Sequence, residues 1–273
     1  FVVLHQLPAM VMLTEEQLQF YEENGYLVVD ILTEEEMDEF SRAYDDVFAR
    51  KSNYNLESTW KGSWAPESKK QDMSVKSIHG LQMHSAVFTR TLLNTCLLDA
   101  CESLLKTPNI LLHHTKAHIK PPGNGSPFPM HQDYYYFPYK NDTMMALFFC
   151  LDDMSPENGG LCIYPGSHKL GPLEDVSDNP AFHYLDANKY SIENATPLSV
   201  KRGQVVIFSY LLIHGSYPNT SVDKQRRIFL AQVVSGDDVP LVTGIHKSPA
   251  QGLVLRGCNP NREADITKRG SGE

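Results

Sequence analysis

From Leu111 onward the chain is written in short apolar runs cut apart by Pro, Gly and Asn, and this punctuation limits the fold more than any other feature. Leu111 to Ile119, Met144 to Leu151, Gly160 to Tyr164, Gln204 to Leu212 and Arg227 to Val234 each have the length and the β-branched or aromatic content of a strand. Helical sequence precedes them. Thr14-Glu-Glu-Gln17 reads as a capping box, Thr hydroxyl and Gln side chain satisfying orphan amides of a short helix that Asn24-Gly25 ends. Tyr26 to Asp30 reads as a strand, and Thr33-Glu-Glu-Glu36 opens a second helix with Met37, Phe40, Tyr44 and Phe48 on one face until about Arg50. The polar stretch from Lys51 to Gln71 predicts a long surface loop, a common form for lids and binding loops. Val87 to Lys106 predicts one more helix, buried on one side. Helices first and many short strands after is an α+β pattern: a β-sandwich or jelly-roll barrel packed against N-terminal helices.

With 273 residues, 41% of them hydrophobic, the chain can bury one large core, so a single domain is expected over 14–260 with terminal extensions at 1–13 and 261–273. The formal net charge of −9 is spread over interspersed signs, which argues against a nucleic-acid or anionic-membrane surface. Five cysteines with no C-x-x-C pair favour neither a thiolate zinc site nor a disulfide framework, so an intracellular, cytoplasmic location is expected. Phe1 to Leu13 lacks a basic lead and a cleavage pattern, no run of about 18 apolar residues occurs, and Gly270-Ser-Gly-Glu273 is not a Ser-Lys-Leu signal. Neither a secretory leader nor a membrane span is expected.

His131 and Asp133 stand two residues apart in Pro127-Phe-Pro-Met-His-Gln-Asp-Tyr134, so an extended segment projects both to one face, where they can chelate one ion. In a chain with eleven histidines such a triplet is weak by itself. Its weight comes from His214, which ends the apolar run from Gln204 to Leu212, where a strand would deliver it to a barrel mouth. Two histidines and one carboxylate, with one histidine from a distant strand, is the facial set that leaves positions open on Fe(II) for O2 and a bidentate co-substrate. Arg226-Arg227 then supplies a cation for a carboxylate, and alternation allows only one of the two to point inward. His5, His79, His84, His183 and His246 are read as structural, and so is His168 in the Pro165-Gly-Ser-His168 turn.

Further motifs carry a resemblance: Phe20-Tyr-Glu-Glu-Asn-Gly-Tyr-Leu-Val-Val29, Ile119-Lys-Pro-Pro122, His131-Gln-Asp133 with Tyr136-Phe-Pro138, Glu157-Asn-Gly-Gly-Leu161, Leu212-Ile-His-Gly-Ser216 and Arg226-Arg-Ile228. In order and spacing the chain resembles the phytanoyl-CoA dioxygenase family of Fe(II)/2-oxoglutarate oxygenases over most of its length. The resemblance implies a double-stranded β-helix (jelly-roll, cupin-like) core with N-terminal and flanking helices. It also implies iron ligation by His131, Asp133 and His214, and 2-oxoglutarate contacts from Arg226, preferred over Arg227, and from Ser216, with Lys116 and Phe148 as further contacts. Phe148 stands where a tryptophan is found in the family, and around Lys76-Ser77 a co-substrate lysine is displaced by one position. The reaction implied consumes 2-oxoglutarate and O2, releases succinate and CO2, and hydroxylates a C–H bond; the retained Asp133 favours hydroxylation over halogenation.

Tyr134, Tyr136 and Phe137 follow the ligand pair and are expected to line an apolar, phenol-edged pocket for a small-molecule substrate. An acyl-CoA, a carboxylic acid or a specialised metabolite each fits this pattern. Two other readings compete: a non-oxidative metal-dependent hydrolase or isomerase using the same three ligands to activate water, which dependence on 2-oxoglutarate would separate, and a binding or scaffold protein with a vestigial site, which failure to bind iron would favour.

Overall fold

The structure, a computed structural model, describes residues 13–58, 73–178, 181–242 and 248–264. Thr14 caps α1 (Glu15–Asn24) with a complete capping box, and Gly25 ends it at φ 78°; β1 (Tyr26–Asp30) follows. Thr33 repeats the device for α2 (Glu34–Arg50), which buries Met37, Phe40, Tyr44, Val47 and Phe48 along one side. The predicted loop after Lys51 lies outside the described residues from position 59 to Gln71, as do His5 and His246. After β2 (Lys76–His79), the single helix expected from Val87 to Lys106 is two: α3 (Ala86–Leu92) and α4 (Thr95–Leu105). The break falls at Asn94, whose side chain accepts the Leu97 amide as an N-cap, an arrangement that competes with continuing the first helix.

The strands that follow are β3 (Ile110–Lys120), β4 (Phe128–His131), β5 (Met145–Cys150), β6 (Leu161–Ile163), β7 (Thr196–Pro197), β8 (Gln204–Ser209), β9 (His214–Ser216), β10 (Arg226–Ser235) and β11 (Leu253–Arg256). They form two antiparallel sheets. The larger runs β1-β8-β5-β10-β3-β11 with β2 added to β3; the smaller runs β4-β9-β6-β7. This is the double-stranded β-helix expected, with α2, α3 and α4 covering the outer face of the larger sheet. There Phe40, Phe88, Phe149 and Phe229 meet ring on ring, with Phe229 5.3 Å from Phe40 and 5.6 Å from Phe88. Tyr44 from α2 donates its hydroxyl toward the carbonyls of His118 and Ile228, fastening the helix to β3 and β10. Among the described residues no helix is long and apolar enough to cross a membrane.

Two strand boundaries place the residues expected to hold a metal. The run from Gln204 is not one strand to Leu212: β8 stops at Ser209, the chain turns, and His214 opens β9 in the other sheet. Likewise His131 ends β4 while Asp133 begins a 3-10 turn, with the extended Gln132 between them.

Candidate metal and co-substrate site

The inner faces of the two sheets enclose a cavity of about 450 Å³. On it His131, Asp133 and His214 offer ligand atoms that all lie within 4.8 Å of one another, each residue buried. Asp133 Oδ1 is 3.7 Å from His131 Nε2 and 3.9 Å from His214 Nε2. Each imidazole donates its Nδ1 hydrogen to a backbone carbonyl two residues back, His131 to Pro129 at 2.8 Å and His214 to Leu212 at 2.9 Å. A carbonyl can only accept, so these bonds select the tautomer with its lone pair on Nε2, the nitrogen aimed at the carboxylate. Burial and the adjacent His214 push His131 down to about 3, so it stays neutral, as a ligand must. Burial alone would raise the Asp133 carboxyl; His214, His131, Lys116 and the Gln232 amide outweigh it and hold Asp133 below the ordinary carboxylate range. Two imidazoles and one carboxylate, oriented in advance, suit a mononuclear divalent iron.

The two segments that carry these residues are held together by Gln132, the middle residue of the triplet. Its amide donates to Leu211 O at 2.6 Å and Gly171 O at 2.9 Å, and its oxygen accepts the Leu173 amide. Ser167, from the Pro165-Gly-Ser-His168 turn, accepts the Ile213 amide at 2.9 Å and so fixes the residue before His214. Gly215 must be glycine here, since a Cβ would sit 2.7 Å from Met130 Sδ and 2.8 Å from Phe128 O. Gln232 donates to Asp133 Oδ2 at 2.6 Å.

The adjacent arginines have opposite fates. Arg227 points outward into Asp152, at 2.6 Å, and Asp45, at 2.8 Å. Arg226, 2% exposed, lines the cavity, with its guanidinium carbon 6.0 Å from the Phe148 ring centre. Among the described residues its side chain has one acceptor, the Gly159 carbonyl that takes Nε–H at 3.2 Å. Burial lowers it to about 10, which leaves it charged at neutral pH. Ser216, Lys116 and Phe148 line the same cavity, and so do Tyr136 and Phe137. Tyr134 does not: its ring packs against Tyr210 at 5.6 Å and Tyr135 at 5.6 Å, because the 3-10 turn rotates it off the inner face.

Several residues not expected to take part in the site stand here. Lys120, 0% exposed, donates to Ser216 Oγ at 2.7 Å and Tyr217 O at 2.6 Å, fixing the Ser216 hydroxyl. Burial, then Arg226, push its ammonium well below the usual lysine range. His79, expected to be structural, lines the cavity, as do His114 and His118. The alternation of His114, Lys116, His118 and Lys120 along β3 is the available signal: four polar residues on one face of a strand whose other face carries Ala117 and Ile119. His183, by contrast, is structural, its Nδ1 2.6 Å from Asp175, and His168 packs under Gly25 with Nε2 3.2 Å from Glu22 O.

Known proteins resemble this chain. The family model for Phytanoyl-CoA dioxygenase (PhyH) matches residues 21–228. The peroxisomal phytanoyl-CoA dioxygenase of Homo sapiens is 30% identical over 228 residues, covering 76% of this chain and 64% of that protein, so the chain spans just under two thirds of that relative's length. A probable alpha-ketoglutarate-dependent hypophosphite dioxygenase of Stutzerimonas stutzeri is 34% identical over 157 residues, 55% of this chain and 54% of that one. The crystal structure of the epimerase SnoN in complex with Fe3+, alpha ketoglutarate and nogalamycin RO superposes with a TM-score of 0.67 at 20% identity, covering 90% of this chain and 96% of that one.

Proposed function

The chain belongs to the phytanoyl-CoA dioxygenase family, and from that premise we propose that it is a mononuclear Fe(II)- and 2-oxoglutarate-dependent oxygenase that hydroxylates a C–H bond of a small organic substrate. The observation that carries the reading is the convergence of His131, Asp133 and His214 on a cavity that the buried, inward-turned Arg226 also lines.

His131, Asp133 and His214 would hold the iron through two imidazoles and one carboxylate. The bound iron supplies the oxidation, in which one oxygen atom of O2 enters succinate, the other enters the substrate C–H bond, and CO2 is released. Arg226 is suited to take the remote carboxylate of 2-oxoglutarate through its fork of N–H groups, with the Ser216 hydroxyl beside it and Lys120 holding that hydroxyl in place. Arg227, already paired twice with carboxylates, is unsuited to the task. Lys116 and Phe148 complete the co-substrate wall, and Tyr136 and Phe137 border the substrate. Hydrolysis at the same three ligands would leave Arg226 without a purpose.

The relatives' names span a branched acyl-CoA and an inorganic phosphorus acid, so an acyl-CoA, a free carboxylic acid or a specialised metabolite are the substrate classes in view. The five cysteines are all unpaired, which fits a reducing, cytoplasmic setting. The test is succinate formation by anaerobically Fe(II)-loaded protein given 2-oxoglutarate and O2, alongside Asp133→Ala. Succinate that needs all three components and falls at least about a hundredfold in the variant is expected. Its absence from iron-loaded protein under every condition would sink the oxygenase reading.

A further inference from the structure

The positive charge on the inner wall exceeds what the metal and co-substrate can absorb, and this bears on the substrate. With the site filled as proposed, a divalent iron, Asp133, dianionic 2-oxoglutarate and Arg226 together come to neutrality. Lys116 is then the cation left over on the cavity lining, which Lys120, buried behind Ser216, does not join. Among the described residues no ion-pair or hydrogen-bond partner reaches its ammonium, and it is half-buried on the cavity wall. The carboxylate whose field it feels is Asp133, a group the metal also claims. The other acid on the lining is Glu57, which is exposed at the rim and takes bonds from the Ser74 hydroxyl and the Val75 amide.

This surplus does not depend on which carboxylate Lys116 touches. If it pairs with 2-oxoglutarate, Arg226 and Lys116 share that dianion, and the iron with Asp133 keeps one positive charge uncompensated. The rest of the wall adds no negative charge: His79, His114 and His118 are bases, and the remainder is largely aromatic or aliphatic, including Phe137, Phe208 and Leu230. The wall is also built for direction. A β-bulge puts His113 outside the β3–β10 register, and its Nδ1 lies 2.8 Å from that of His114, which sets the His114 ring against the cavity. His79 stands opposite Lys116 on β2. In a low-dielectric cavity, a half-buried ammonium whose nearby carboxylate is shared with a metal favours a ligand that brings negative charge over its neutral isostere.

We propose that the substrate of this site is a small organic anion, a carboxylate or an oxyanion of like charge, whose head group answers the excess positive charge that Lys116 brings to the metal- and 2-oxoglutarate-filled cavity. His79 and His114 flank that head group as hydrogen-bonding neighbours, and the aromatic wall takes the body. The proposal rests on the iron and 2-oxoglutarate reading, and its test keeps the two apart.

The protein is loaded with redox-silent Ni(II) and titrated calorimetrically, first with 2-oxoglutarate alone. With 2-oxoglutarate then kept saturating, hexanoate, phenylacetate and cyclohexanecarboxylate are titrated, each against its own primary amide. The carboxylates are expected to bind at least about tenfold more tightly than their amides. Lys116→Met should bring that ratio to within about twofold, and Lys116→Arg should preserve it. Amides bound as tightly as the acids, after normal 2-oxoglutarate binding, would overturn the proposal alone. Absence of metal-dependent 2-oxoglutarate binding would overturn the reading beneath it and the proposal with it.

Discussion

On the helix-covered face of the larger sheet, β5 and β10 present Leu147, Phe149, Phe229, Ala231 and Val233 to Phe40 and Phe88. On the opposite face of β10 and β3 stand Arg226, Gln232, His114, Lys116 and Lys120. The same strands serve both, since successive side chains alternate across a sheet. The first face satisfies itself. The second holds polar atoms left open: among the described residues Gln232 Oε1 and His118 Nδ1 are buried without a hydrogen-bond partner, and the carboxylate whose field reaches Lys116 is Asp133, which a metal would also claim. Such groups destabilise an empty fold. Apolar packing on one face thus offsets a cavity wall kept unsatisfied for ligands, so stability and chemistry should separate by face.

The sharpest way to break that division is Phe229→Ala. Removing a fully buried ring from a four-ring cluster should cost about 3–5 kcal/mol of unfolding free energy, while the molecules that remain folded keep their affinity for metal and 2-oxoglutarate. Urea titration with parallel calorimetry would show it; loss of ligand affinity in the folded fraction would contradict the separation.

Arg226→Met tests the other face. It should weaken 2-oxoglutarate binding by about a hundredfold, roughly 2.7 kcal/mol, and leave the unfolding free energy of the empty protein unchanged or slightly raised, because a buried guanidinium with one acceptor gives way to an apolar chain. Arg227→Met should do the reverse, losing about 1 kcal/mol of stability with its ion pairs to Asp152 and Asp45 and leaving the co-substrate affinity alone. Equal effects of the two variants on 2-oxoglutarate would defeat the assignment.

The most gradual expected effect is on pH. His131 is held near 3 and His118 well below its ordinary value, both chiefly by burial, while the unfolded chain titrates them near 6.5. Between those values the unfolded state binds more protons, so the stability of metal-free protein should fall as pH drops below about 6.5. The slope should approach about 1.4 kcal/mol per pH unit for each histidine. Urea midpoints from pH 7.5 to 5.5 would measure it, and a flat profile would argue against buried neutral imidazoles.

Much of the fold and site is legible in sequence wherever the information is local. Both capping boxes, the strand after Gly25 and the inward face of α2 follow from spacing and hydrogen-bond chemistry within a few residues. The pairing of His131 with Asp133 does too, because Gln132 is extended and returns both to one side. What escapes is set by register between distant strands. Arg226 and Arg227 differ only in which face the pairing with Lys120 and Ile119 turns inward. Lys120 stands in the Ile119-Lys-Pro-Pro122 motif, but its bond to Ser216, 96 positions away, emerges only when β3 and β9 are brought together. The turn from Tyr210 to Ile213, which carries His214 into the second sheet, is written in apolar residues that read as more strand. Gln132 and Gln232 are polar residues whose partners are about eighty and one hundred positions away along the chain.

The most direct test of the central claim is an anaerobic titration of 2-oxoglutarate into wild-type and Asp133→Ala protein, with and without one equivalent of Mn(II), read by calorimetry with metal stoichiometry measured alongside. The account predicts one metal ion per wild-type chain and 2-oxoglutarate binding that requires it, both lost in Asp133→Ala without loss of the folded state. Metal bound with unchanged stoichiometry by the variant, or 2-oxoglutarate bound equally well without metal, would contradict it.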